Sequence, residues 1–138
     1  MKALILSLLI GFVSWPSFAD EILIIASPSV PVSTLTHEQI TEIYLLKNLS
    51  WADGGRIIPV NRETSSETRA RFNSTVLKQD NAELSAYWNQ MHFKGRMPPV
   101  IQESDQAMVA FVQKVPGAIG YVAASTPVGT AKIIGRVP

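Results

Sequence analysis

Short apolar runs alternate along this chain with stretches whose apolar residues recur at helical spacing. That alternation constrains the fold more than any other feature, because a run buried on both faces needs helices above and below it. Glu21 to Ala26 (E-I-L-I-I-A) is the first such run and reads as a buried strand ended by Ser27-Pro28. Thr36 then caps a helix, with Gln39 at the reciprocal position and Ile40, Ile43 and Tyr44 on one face; its end is expected near Lys47-Asn48. Trp51 to Gly55 is a turn, and Ile57 to Val60 a second strand. A helix from about Ser66 to Leu77 turns Phe72 and Val76 inward. Asp80 and Glu83 start the next as a capping box, with Leu84, Tyr87, Trp88 and Met91 as its buried stripe. Beyond Gly95 and Pro98-Pro99, Ser104 or Asp105 caps a helix with the stripe Met108, Phe111, Val112 and Val115. Pro116-Gly117 stops it, Ala118 to Val122 reads as a strand, and Lys132 to Gly135 as the last one. The pattern predicts an α/β domain, a mostly parallel or mixed sheet flanked by helices, with ligands expected at the C-terminal strand ends.

The segment Val60 to Arg69 (V-N-R-E-T-S-S-E-T-R) falls at such an end. Thr64, Ser65 and Ser66 place three hydroxyls where a helix begins, with Thr68 one turn in and Arg62 just before. A helix start leaves unpaired N–H groups and a partial positive charge pointing outward. Hydroxyl donors and an arginine at that point make a cradle for a tetrahedral oxyanion. The same residues also read as a plain capping box, Thr64 with Glu67, beside a solvated Arg62. Spacing alone leaves both readings open.

Met1-Lys2, the apolar run Ala3 to Val13 and Ser17-Phe18-Ala19 have the layout of a secretory signal peptide cleaved after Ala19. Residues 20–138 are then one exported, periplasmic domain, long enough for a single core. Basic residues number 12 and acidic ones 11; without Lys2 the two balance, which argues against a nucleic-acid partner. There is no cysteine, which excludes disulfides, thiol catalysis and cysteine-ligated metals. His37 and His92 have no metal-like spacing, and no G-x-S-x-G elbow surrounds Ser65 or Ser66. Neither a cofactor nor an enzymatic activity is expected.

Three groups of residues occur in order: Leu35-Thr36…Gln39-Ile40…Ile43-Tyr44 with Trp51-Ala52-Asp53-Gly54; then Arg62…Ser65-Ser66…Thr68; then Val112…Pro116-Gly117-Ala118-Ile119-Gly120-Tyr121-Val122. Together they resemble the phosphate-binding periplasmic component of phosphate ABC transporters, a type 2 periplasmic binding protein. The similarity is greater to small exported proteins carrying a shortened version of that domain, and it covers about Thr34 to Ala123. It implies a single lobe, an inorganic phosphate or similar oxyanion as ligand, and a link to phosphate ABC transport. In the full-length family the loop reads Arg-x-Asp-Gly-Ser-Gly-Thr. Arg62, Ser66 and Thr68 match it; Thr64 stands where the family has aspartate, and Ser65 and Glu67 where it has glycines. The resemblance assigns Arg62 as charge partner, with Ser65, Ser66, Thr68 and Thr64 as hydroxyl or backbone donors. A single lobe leaves its anion partly solvated, so weak phosphate or sulfate binding is expected unless a second copy, a membrane transporter or a sensor covers the site. The alternative is an interaction or sensory accessory protein that keeps the fold without the ligand.

Overall fold

Strands Ile22–Ala26 (β1), Ile58–Arg62 (β2), Val100–Gln102 (β3), Ala118–Ala123 (β4) and Lys132–Val137 (β5) form one sheet, in the spatial order β3-β2-β4-β1-β5. Helices His37–Tyr44 (α1), Glu67–Phe72 (α2), Asn81–Phe93 (α3) and Asp105–Lys114 (α4) lie between them, and α2 runs on into a π-helical turn, Asn73–Leu77. This computed structural model describes residues 21–138 together with Gly11 and Val13; the rest of the expected leader and its cleavage site lie outside the described residues.

β2 pairs in parallel with β3 and β4, whereas β1 is antiparallel to both its neighbours, β4 and β5. The α/β architecture and the mixed sheet are as expected, and β1 is the one reversed strand. An apolar run carries no mark of direction: all five residues of β1 are buried, and either direction buries them. Ile22, Ile24 and Ala26 join a core with Tyr44, Phe72, Ile119 and Tyr121 on one face of the sheet. Leu23 and Ile25 join Met108, Val112 and Val122 on the other, beneath α4.

The local signals hold at most helix starts. Thr36–Gln39 and Asp80–Glu83 are full capping boxes, and Ser104 caps α4 through Ala107 N–H. The capping box expected from Thr64 and Glu67 does not form. Ser66 is the N-cap of α2, its hydroxyl accepting from Arg69 N–H at 3.1 Å, so the helix starts two residues later. The helix expected to reach Lys47-Asn48 stops at Tyr44, with Leu46 in the left-handed region (φ 58°). β2 extends to Arg62, which puts Asn61 and Arg62 inside the strand. β3 is the one strand without a sequence signal: its three residues are exposed or half-buried and show no period.

Two long-range contacts hold the turn before β4. Gly117 sits at φ 81°, and a Cβ there would lie 2.1 Å from the Arg56 carbonyl oxygen, so only glycine fits. The buried Trp51 anchors its turn on this same point, donating from Nε1 to Gly117 O at 3.0 Å.

Candidate functional site

The C-terminal end of β2 is fixed from below by an aromatic group. Phe72 stacks on Tyr121 (centroids 4.1 Å, 5° between planes), and Tyr44 meets the Phe72 ring edge-on at 4.8 Å. The Tyr44 hydroxyl lies 2.9 Å from Val60 O and 3.3 Å from Ile119 O, donating into the seam between β2 and β4. Tyr121 donates to Asn61 Oδ1 and accepts from Arg62 N–H at 3.2 Å. Burial pushes the ionisation of both phenols above the ordinary tyrosine range, since neither can lose its proton into an apolar surround without cost. Both therefore stay neutral hydrogen-bond donors that hold the strand end in place.

From that strand end the Arg62 side chain, only 12 % exposed, reaches two carboxylates. Nε and Nη2 donate to the two oxygens of Glu63 at 3.1 and 3.0 Å, a bidentate pair, while Nη1 donates to Asp105 Oδ1. Asp105 is the first residue of α4, and its other oxygen accepts from Ala123 N–H at 3.2 Å and Thr126 Oγ1 at 2.8 Å. The carboxylate thus ties the ends of β2 and β4 to the start of α4. Burial works against the Arg62 charge, yet the Glu63 hydrogen bond and the Asp105 charge outweigh it and hold the guanidinium above its ordinary value. In return, the Arg62 hydrogen bond lowers the Glu63 carboxyl below the usual glutamate range.

The other expected ligand residues divide by position. Ser66 is buried and uses its hydroxyl as the α2 cap. Ser65 is exposed on the turn, and Thr68 is half-buried in the first turn of α2. Thr64 is exposed and faces a different space, a cleft of about 480 Å³ bounded by the π-helical turn, α3 and residues 98–101. Arg69 lines this cleft as well, with Nη1 donating to Arg62 O at 2.7 Å. The five residues thus run from the end of β2 (Arg62) through the turn (Thr64, Ser65, Ser66) to the first turn of α2 (Thr68), with Thr64 turned to the cleft and the Ser66 hydroxyl taken up by the cap.

Sequence reasoning missed the two carboxylates. Glu63 was legible as the immediate neighbour of Arg62; Asp105 lies 43 residues away and comes near only through the parallel crossovers. His37 and His92 are exposed at the first turn of α1 and the last turn of α3. Among the described residues no group of three His, Asp or Glu side chains is arranged to hold a metal ion.

No protein-family profile matches the sequence. Solved structures do. A protein from Clostridium perfringens described as a phosphate ABC transporter substrate-binding protein, with bound phosphate, matches at TM-score 0.67 and 26% identity over 82% of this chain and 43% of its own. An ABC-type phosphate transport receptor from Vibrio cholerae matches at TM-score 0.65 and 22% identity, over 82% of this chain and 44% of its own. PstS from Borrelia burgdorferi follows at 0.61 and 18%, over 75% and 40%, and for these two the likeness is one of fold alone. The chain spans less than half the length of each. These neighbours are binding proteins rather than enzymes.

Proposed function

Since the chain has the fold of a shortened, single-lobe relative of phosphate ABC transporter substrate-binding proteins, we infer that it is a solute-binding module for phosphate or a similar oxyanion. One observation supports this most: Arg62 and the Thr64–Ser65–Ser66 hydroxyls stand at the C-terminal end of a strand with parallel neighbours on both sides, the location where such sheets take ligands. Arg62 supplies the charge, Ser65 and Thr68 their hydroxyls, Thr64 a further hydroxyl at the rim, and Ser66 orients the first turn. Two of the five guanidinium N–H groups remain for an anion once the bonds to Glu63 and Asp105 are made. We further propose that residues 1–19 are a cleaved leader, that residues 20–138 act in the periplasm, and that a transporter, a sensor or a second copy completes the site.

The pairing of Arg62 with two carboxylates favours a second reading, an interaction or sensory accessory protein that has kept the fold and lost the ligand. Melting temperature with and without millimolar phosphate or sulfate, for the wild type and Arg62→Ala, separates the two. A ligand at about ten times its dissociation constant stabilises by about 1.4 kcal/mol. A shift in the wild type that Arg62→Ala abolishes supports binding; no shift in the wild type leaves the accessory reading.

A further inference from the structure

We propose that the cleft between the π-helical turn and α3 is a second binding site, for a small organic anion that also carries hydroxyl or amide hydrogens. Its volume, about 480 Å³, is in the range of sites that enclose organic ligands and exceeds what a lone tetrahedral anion fills. Its chemistry is unlike that around Arg62. Among the residues lining it, Arg69 carries the one formal charge and there is no carboxylate. An acidic group on a ligand therefore meets an attractive charge with no carboxylate in the wall, Glu63 reaching Arg69 only as a weaker, more distant charge than the one it places on Arg62.

Asn73 points to the rest of the ligand. It lines the cleft, is only 5 % exposed, and its Oδ1 has no hydrogen-bond partner. Buried polar groups are almost always paired, so an unpaired amide oxygen on a side chain that lines a cleft marks a missing donor. That oxygen is itself buried, and it meets a ligand donor by rotation about the broad terminal torsion of the side chain. Ser85 and Asn89, one turn apart on α3, add polar groups to the opposite wall. Leu84 and Trp88 supply the apolar surface, the Trp88 ring braced edge-on by Tyr87 with centroids 5.1 Å apart. A positive charge, a ring of amides and hydroxyls, and one aromatic wall suit a sugar acid or sugar phosphate. Of the residues assigned to the Arg62 site, this cleft includes only Thr64, so it stands without that reading.

The test is an NMR titration of the protein with millimolar glucose 6-phosphate, glucuronate, glucose and inorganic phosphate, following the Trp88 indole and the Asn73 and Asn89 amide resonances. The two sugar acids are expected to move these resonances, with glucose weaker by about tenfold or more for want of a charge. Inorganic phosphate is expected to move Ser65 and Ser66 instead, and Arg62→Ala to remove that response alone. Asn73→Leu is expected to leave the melting temperature unchanged or raised while weakening the sugar acids about tenfold. Ser85→Trp, on exposed α3 surface, fills the cleft and abolishes their binding. Cleft resonances that respond to neither sugar acid overturn the proposal. So does a response unchanged in Ser85→Trp, or one that inorganic phosphate or glucose reproduces at equal strength.

Discussion

Arg62 is charged, nearly buried and already answered by Glu63 and Asp105, so any anion at this strand end competes with two carboxylates. One unit charge about 4 Å away amounts to roughly 1–4 kcal/mol near a protein surface. Glu63→Gln and Asp105→Asn are accordingly each expected to tighten phosphate binding by about tenfold or more, measured by calorimetric titration. Unchanged affinity with a lower melting temperature would make the cluster purely structural. Glu63 also sets a pH dependence. Its folded pKa is depressed, so its stabilisation is complete above the unfolded glutamate value and is lost as pH falls through the folded one. Melting temperature should drop on acidification through that window, and Glu63→Gln should flatten this part of the profile. At Gly117, alanine would meet the Arg56 carbonyl in a backbone conformation it disfavours. A loss of about 3 kcal/mol is expected by urea unfolding. The sequence named Arg62 and its hydroxyls but not Asp105, whose approach depends on where α4 starts in space.

Elements whose ends are set by neighbouring residues were readable, and those set by distant ones were not. The capping boxes at Thr36 and Asp80 need only a side chain and an amide three residues on, and both form as written. At α2 the choice among Thr64, Ser65 and Ser66 depends on β2 continuing to Arg62, which sequence period does not reveal. Ser66→Ala removes the cap that does form and should cost about 1–2 kcal/mol. Thr64→Ala should cost almost nothing, and differential scanning calorimetry of the pair checks which residue starts the helix. β3 escaped notice because Val100 and Ile101 are apolar yet exposed, packing on no core that would impose alternation. It leaves an unpaired edge close in sequence to Phe93, which is 91 % exposed.

On the scale of the whole molecule, both apolar cores share β1, one on each of its faces. β4 likewise places residues in both, Ile119 and Tyr121 in one and Ala118 and Val122 in the other, so far-ultraviolet dichroism and tryptophan emission should trace one coincident urea transition. Separate midpoints would mean that the α4 side unfolds on its own. The alternation of strands and helices was enough to foresee helices on both faces of a sheet; the reversal of β1 was not, since Ile22–Ala26 is equally apolar read either way. That reversal also governs timing. β1 pairs with Ala118–Ala123 and Lys132–Val137, about the most distant partners the described chain offers it. Long-range pairing of this kind folds slowly, because the intervening loop must close before any contact rewards it. Synthesis runs from the amino terminus, so Ile22–Ala26 is made well before the two strands it pairs with. Until those strands exist, five residues that end fully buried stay exposed to water, and the sheet has no centre.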